Sequence, residues 1–168
     1  MVADQLIDEL KEESVKTRHL LERLPEKKLT WKPHPKSLTL GQLAWHIAVL
    51  PRGIADLATP LTTEPPNVPR PQPASVAEVL SELDDSIAYA SGKISAWGDK
   101  GLQQTWTLTF EGRKMFEMPR AAVIRSIMLN HGYHHRGEMM VYLRLLDVPL
   151  PPIFGPTADE NLFTSTRK

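Results

Sequence analysis

Cysteine is absent from the 168 residues. That removes disulfides, thiolate metal sites and thiol nucleophiles, so any metal has to be held by His, Asp or Glu. Net charge is absent too: twenty Lys and Arg balance twenty Asp and Glu, leaving no field to draw the chain onto phosphate backbones or anionic lipid. Neither nucleic acid nor membrane is an expected partner. Long hydrophobic runs are also missing. The longest, Leu38 to Leu50, is broken by Gln42 and His46, and a membrane-spanning helix needs about 20 apolar residues. Closely spaced charges between Met1 and Glu13 do not read as a signal peptide. A cytoplasmic protein is therefore expected, folded as a single domain over residues 1–168 with room for a real core.

What is plentiful is proline, and its placement organises the chain. Six of the fifteen prolines fall between Pro60 and Pro73, a stretch that can be neither helix nor central strand because proline lacks the N–H both require. It reads as a long extended connection. Four helical segments surround it. The first, about Val2 to Leu24, repeats Leu6, Leu10, Thr17, Leu21 and Leu24 at spacings near three and four. The second opens with the capping-box pattern Thr39-Leu-Gly-Gln42, and Leu43, His46, Leu50, Gly53 and Leu57 share a face. Pro51 should kink it or end it early. The third opens with Ser75-Val-Ala-Glu78 and carries apolar residues at helical spacing to about Trp97. The fourth runs from Pro119 to about Leu146. Between the third and fourth, Thr105–Phe110 and Lys114–Met118 flank Glu111-Gly112, a plausible short hairpin. From Pro149 to Lys168 the tail reads as coil packing back on the helices.

Each apolar stripe needs partners, so the expected fold class is all-α. It is a four-helix bundle with a proline-rich crossover between helices two and three and a short irregular or hairpin segment before helix four. The crossover disfavours an up-down-up-down path and suits parallel second and third helices.

Chemistry concentrates in the histidines. On a wheel at about 100° per residue, the apolar stripe of helix four is interrupted by His131, His135 and Glu138. The His-x-x-x-His spacing lets two ring nitrogens reach one cation at about 2.0–2.1 Å. Buried side by side among apolar neighbours, two imidazoles without a cation would lack polar partners. His46, between Leu43 and Leu50 on the buried stripe of helix two, could supply a third nitrogen or be a hydrogen-bonded core residue. Glu138 is better placed to orient an imidazole than to bind a metal itself. His134 lies near the rim, and His19 and His34 read as surface or loop. Asp159 and Glu160 suit capping or solvated-loop roles, although they could reach a pocket mouth. Arg136 and Arg144 fall off the ligand stripe and read as solvent or interface charges. Trp31, Trp45, Trp97 and Trp106 are core by default.

WKPHPKSLTLGQLAWHIA (Trp31–Ala48), NHGYHHRGEMMVYLRLLDVPLPP and the tail IFGPTADE together resemble the DinB-like family of bacterial damage-inducible and thiol-transferase-related proteins, over nearly the whole chain. The resemblance implies a four-helix bundle holding one divalent metal through His46, His131 and His135, and a homodimer. Three neutral nitrogens leave coordination positions open, as in catalytic sites, and suit zinc, nickel or iron. The implied activity is a transferase that activates a low-molecular-weight thiol, or water, on a small-molecule substrate. The alternative is a stress-associated protein that binds metal or a small ligand without turnover. No Gly-rich phosphate loop, Gly-x-Ser-x-Gly elbow or second carboxylate paired with Glu138 is present, so any catalysis would have to use the metal.

Overall fold

Thr39 closes the capping box that its spacing with Gln42 predicts: its hydroxyl accepts from the Gln42 N–H at 3.1 Å, and the Gln42 side chain accepts from the Thr39 N–H at 3.1 Å. This starts α2, Leu40–Leu57, in a computed structural model that describes residues 1–160. Replacing Thr39 with alanine would leave the Gln42 N–H without its acceptor, and urea unfolding should register a loss of about 1 kcal/mol. The other elements, in order, are α1 (Val2–Leu21), β1 (Thr62–Thr63), α3 (Val76–Leu102), β2 (Thr105–Phe110), β3 (Arg113–Pro119), α4 (Arg120–Val123), a π-helical stretch over Ile124–Leu129, and α5 (Asn130–Leu145). At α3 the Ser75 hydroxyl caps the Glu78 N–H at 3.1 Å, but the Glu78 carboxylate accepts from Ala74 rather than from the cap residue.

Side-chain pairings give the directions of the helices. Ala3 meets Asp99 and Arg18 meets Asp84, so α1 and α3 are antiparallel. The Arg52 N–H donates to Ser86 and Tyr89 donates to Asp56, so α2 and α3 are parallel. Glu9 meets Tyr133 and Glu13 meets Arg136, so α1 and α5 are parallel. The result is an up-down-down-up bundle. Its proline-rich connection returns along α2, carrying Thr63 near the end of that helix and Arg70 back to its start, where the Gln42 side chain donates to the Arg70 carbonyl at 3.0 Å. That return path is what allows α3 to begin at the same end as α2.

The bundle is not all-α. The expected hairpin forms, with Glu111 and Gly112 both at positive φ in a tight turn, and β2 also pairs in parallel with β1, giving a three-stranded sheet in the order β1-β2-β3. Thr62 and Thr63, lying between prolines, have free backbone groups that the open edge of β2 can use, which two residues of polar sequence do not reveal. The sheet is anchored by Trp106, which is fully buried and donates its indole N–H to the Leu57 carbonyl at 3.1 Å. Trp106 is therefore core, as expected. Pro51 neither ends nor divides α2: the helix runs six residues further to Leu57, and the next N–H, of Arg52, finds the Ser86 hydroxyl at 2.9 Å. α3 breaks where its expected end falls: after Trp97, Gly98 takes a non-helical conformation (φ 55°, ψ −175°) that glycine adopts without steric cost, and a short further helical stretch beyond this kink reaches Leu102.

Two apolar clusters form the core. One contains Leu6, Leu10, Ile94, Trp106 and Ile124; the other contains Leu20, Leu43, Val79, Met139 and Leu143. His131, His135 and a buried Glu13–Arg136 ion pair fall at the waist between them, which on the last helix lies between Leu129 and Met139, while His46 on α2 sits beside Ala44 and Ile47 of the second cluster.

Candidate metal centre

The last helix decides where the histidines point. Unbroken α-helix from Pro119 would align Ile124, Met128, His131, His135, Glu138 and Tyr142 on one face. The π-helical turn over Ile124–Leu129 inserts one residue, so the buried line passes through Ile124, Met128 and Leu129 and continues with Arg136, Met139 and Leu143, each no more than 3% exposed. The histidine line is rotated to the flank that borders α2, where His131 and His135 are half-buried. One extra residue thus moves the imidazoles from core to cleft and sends Arg136 into the core. The expectation of a solvent-facing Arg136 is overturned for this reason: its guanidinium is 2% exposed and pairs with Glu13 at 2.5 Å.

Across the flank, α2 runs antiparallel to α5 and presents half-buried His46. Its ring centroid lies 4.6 Å from that of His135 and 5.5 Å from that of His131, and the His131 and His135 centroids are 4.5 Å apart. One nitrogen from each of the three falls within 4.8 Å of the others. The Nε2 atoms of His131 and His135 face each other at 2.6 Å. On the far side of His135, Nδ1 meets Glu138 Oε2 at 2.5 Å. A carboxylate only accepts, so Nδ1 is assigned the proton and Nε2 is left with its lone pair turned toward His131. Glu138 is therefore the orienting partner that its spacing predicted.

Electrostatics favour the neutral form of His46 and His131. Burial, followed by the neighbouring His135 and His131 and by Arg70, pushes His46 down from 6.5 to about 4. Burial and the same imidazole neighbours push His131 down as well. In the metal-free protein, His46 therefore takes up a proton more readily unfolded than folded. Stability should rise with pH from about 4 to 6.5 and be lost as pH falls through that window, a slope that His46→Leu would flatten in denaturant titrations. Neutral imidazoles are the form that binds metal. Three imidazoles, without a hard oxygen ligand among them, match a borderline transition-metal ion rather than calcium or magnesium.

His134 stands outside this set, largely exposed, with Nε2 3.5 Å from Glu138 Oε1. It also forms a second grouping with His135 and Glu138. His19 and His34 are exposed, as expected. Asp159 pairs with Arg144 at 2.6 Å and accepts from the Leu150 N–H, and Glu160 pairs with Arg23 at 2.6 Å. Both residues thus fasten the tail to the bundle. The rest of the expected coil, residues 161–168, lies outside the described residues. Sequence reasoning missed the role of Arg70. Its place between prolines signals only extended backbone, and the return path of the connection brings its charge to His46.

The profile of the DinB superfamily matches residues 9–139, and the chain belongs to that family. It is 30% identical over 145 residues to the uncharacterized protein YrdA of Bacillus subtilis (strain 168), covering 86% of this chain and 83% of that one. Among solved structures it is similar to a DinB-like protein from Bacillus cereus ATCC 10987, with a TM-score of 0.73 at 25% identity over 90% of this chain and 97% of the other. The DinB-like protein YjoA from B. subtilis shares the fold, with a TM-score of 0.67 at 17% identity over 89% and 96% of the two chains. No helix among the described residues is long and apolar enough to cross a membrane.

Proposed function

We propose that His46, His131 and His135 hold one divalent transition-metal ion, zinc, nickel or iron, and that this centre serves a transferase acting through a low-molecular-weight thiol or water. The observation that carries the reading is the convergence of three imidazoles from two antiparallel helices, with the outward nitrogen of His135 tied to Glu138. The cation would supply Lewis acidity, lowering the pKa of a thiol or water that enters the site. The chain's own residues do the rest. Glu138 holds the tautomer and ring angle of His135. Burial keeps His46 unprotonated through the neutral range. His134, exposed and beside the second oxygen of Glu138, is placed to pass a proton between solvent and that carboxylate.

Elemental analysis of protein made without a histidine tag and without chelators tests the site, with about one equivalent of transition metal per chain expected. Under about 0.1 equivalent would return the histidines to a structural role. Turnover is a separate measurement: thiol and electrophile pairs are assayed with the loaded protein and with His131→Ala. Stoichiometric metal with no rate above background would favour the alternative, a stress-associated binding protein without turnover. The reading includes a homodimer, and sedimentation at the mass of one chain would remove it.

A further inference from the structure

Beside the histidines lies a cleft that the metal reading does not use. The outer face of α2 and the returning proline-rich connection enclose about 530 Å³, within the range of small-molecule sites. Its walls are chiefly apolar: Trp45, Val49 and Leu57 from the helix, and Pro66, Val68 and Pro69 from the connection. On the α2 wheel, Val49 and Gly53 fall within about 60° and 20° of His46, so the cleft and the histidine site occupy adjoining faces of one helix. Two of the polar lining groups are already engaged. Arg52 meets Glu82 at 3.3 Å and lies over the Tyr89 ring, and Asp56 accepts from the Tyr89 hydroxyl at 2.5 Å. At the near end, Arg70 stands between the lining residues Pro69 and Pro71, exposed, and its side chain makes no hydrogen bond or ion pair among the described residues. Its charge reaches far enough to act on His46.

We propose that this cleft binds a small molecule with an apolar, ring-sized body and an anionic end, the body lying between α2 and the prolines and the anion meeting Arg70. Volume and lining select the body, and a guanidinium at the rim with no ion pair among the described residues selects the sign of the charge. Prolines suit the outer wall, because they offer apolar surface on a backbone with little entropy left to lose. The occupant's charged end lies toward the histidines, so it is a candidate substrate of the proposed reaction; that link alone rests on the metal reading, and binding itself needs no metal.

Gly53 makes the test clean. A Cβ there meets nothing within 4 Å, so a larger residue grows into the cleft without disturbing backbone, and in mid-helix it replaces the least favourable residue after proline. The dyes are 8-anilinonaphthalene-1-sulfonate, an aromatic anion, and N-phenyl-1-naphthylamine, its neutral relative. Both are titrated into chelator-treated protein. Saturable binding at one site per chain is expected. Gly53→Phe should weaken both dyes by about tenfold or more without lowering the melting temperature. Arg70→Gln should weaken the anionic dye by about three- to tenfold and leave the neutral one unchanged. No saturable binding, or native binding by Gly53→Phe, overturns the cleft as a site. Equal behaviour of the two dyes in Arg70→Gln overturns the anionic end. Because the protein is metal-free throughout, these outcomes are independent of the elemental analysis.

Discussion

His131→Ala should lower affinity for zinc or nickel by more than about 100-fold, beyond the 10–100-fold range that accompanies loss of an outer partner. The reason is geometric. His131 and His135 present Nε2 atoms to each other at 2.6 Å from successive turns of α5, and with His131 gone only His135 and His46 are left, which a chelator can outcompete. Glu138→Gln should fall inside the 10–100-fold range, since an amide can still meet Nδ1 of His135 but without the charge that strengthens it. Competition with a chromophoric chelator reads both, and circular dichroism checks that the helices remain. Without metal, His131→Ala should be no less stable than the parent, because a half-buried imidazole that burial holds neutral contributes little to folding on its own. Tight binding by this variant would mean that the ligands lie elsewhere.

The second large effect concerns the waist rather than the metal. Glu13→Ala should destabilise the protein by about 3–5 kcal/mol in urea unfolding, the usual cost of stranding one half of a buried pair. Arg136 is 2% exposed, donates to the Glu13 carboxylate at 2.5 Å, to the Glu13 carbonyl at 3.1 Å and to the Thr17 hydroxyl at 3.3 Å, and has Tyr133 and Phe154 against its guanidinium. Removing the carboxylate leaves that charge with dipoles alone. Glu13→Leu combined with Arg136→Met should recover most of the loss, because two apolar side chains of similar volume leave nothing unpaired. Acid should act in the same direction. Burial by itself would raise the Glu13 pKa, but hydrogen bonds from Lys16 and Arg136 outweigh it and hold the carboxyl below 4.5. Glu9, hydrogen-bonded by Arg125 and Tyr133, is held near 2. Both groups bind protons more weakly folded than unfolded, so their stabilisation is present above pH 4.5 and is lost as pH falls through the folded values. A double variant with a flatter acid limb than the parent supports this; an unchanged limb would assign the acid sensitivity elsewhere.

Local chemistry was legible in the sequence wherever a short-range rule governs it. The Thr39 and Ser75 caps, the breaks around Pro25 and Pro149, the extended proline connection and the hairpin at Glu111-Gly112 all follow from backbone donors, φ limits and side-chain period. The orienting contact of Glu138 with His135 is likewise a property of three-residue spacing on a helix. The return of the connection along α2, the addition of Thr62 and Thr63 to β2, and the closeness of Arg70 to His46 were not legible, because each joins residues with no local pattern in common.

Residue order alone determined that a metal here would have to use histidine, that His131 and His135 would project together, and that four amphipathic stretches would pack side by side. Tertiary structure decided which way the last helix faced. A wheel assumes 3.6 residues per turn, whereas packing against α1 and α2 drew Ile124 and Leu129 into the core with one residue to spare, and the π turn absorbed it. That rotation put Arg136 against Glu13 and left the imidazoles at the edge of the core facing His46, because a helix is held in register by what it buries.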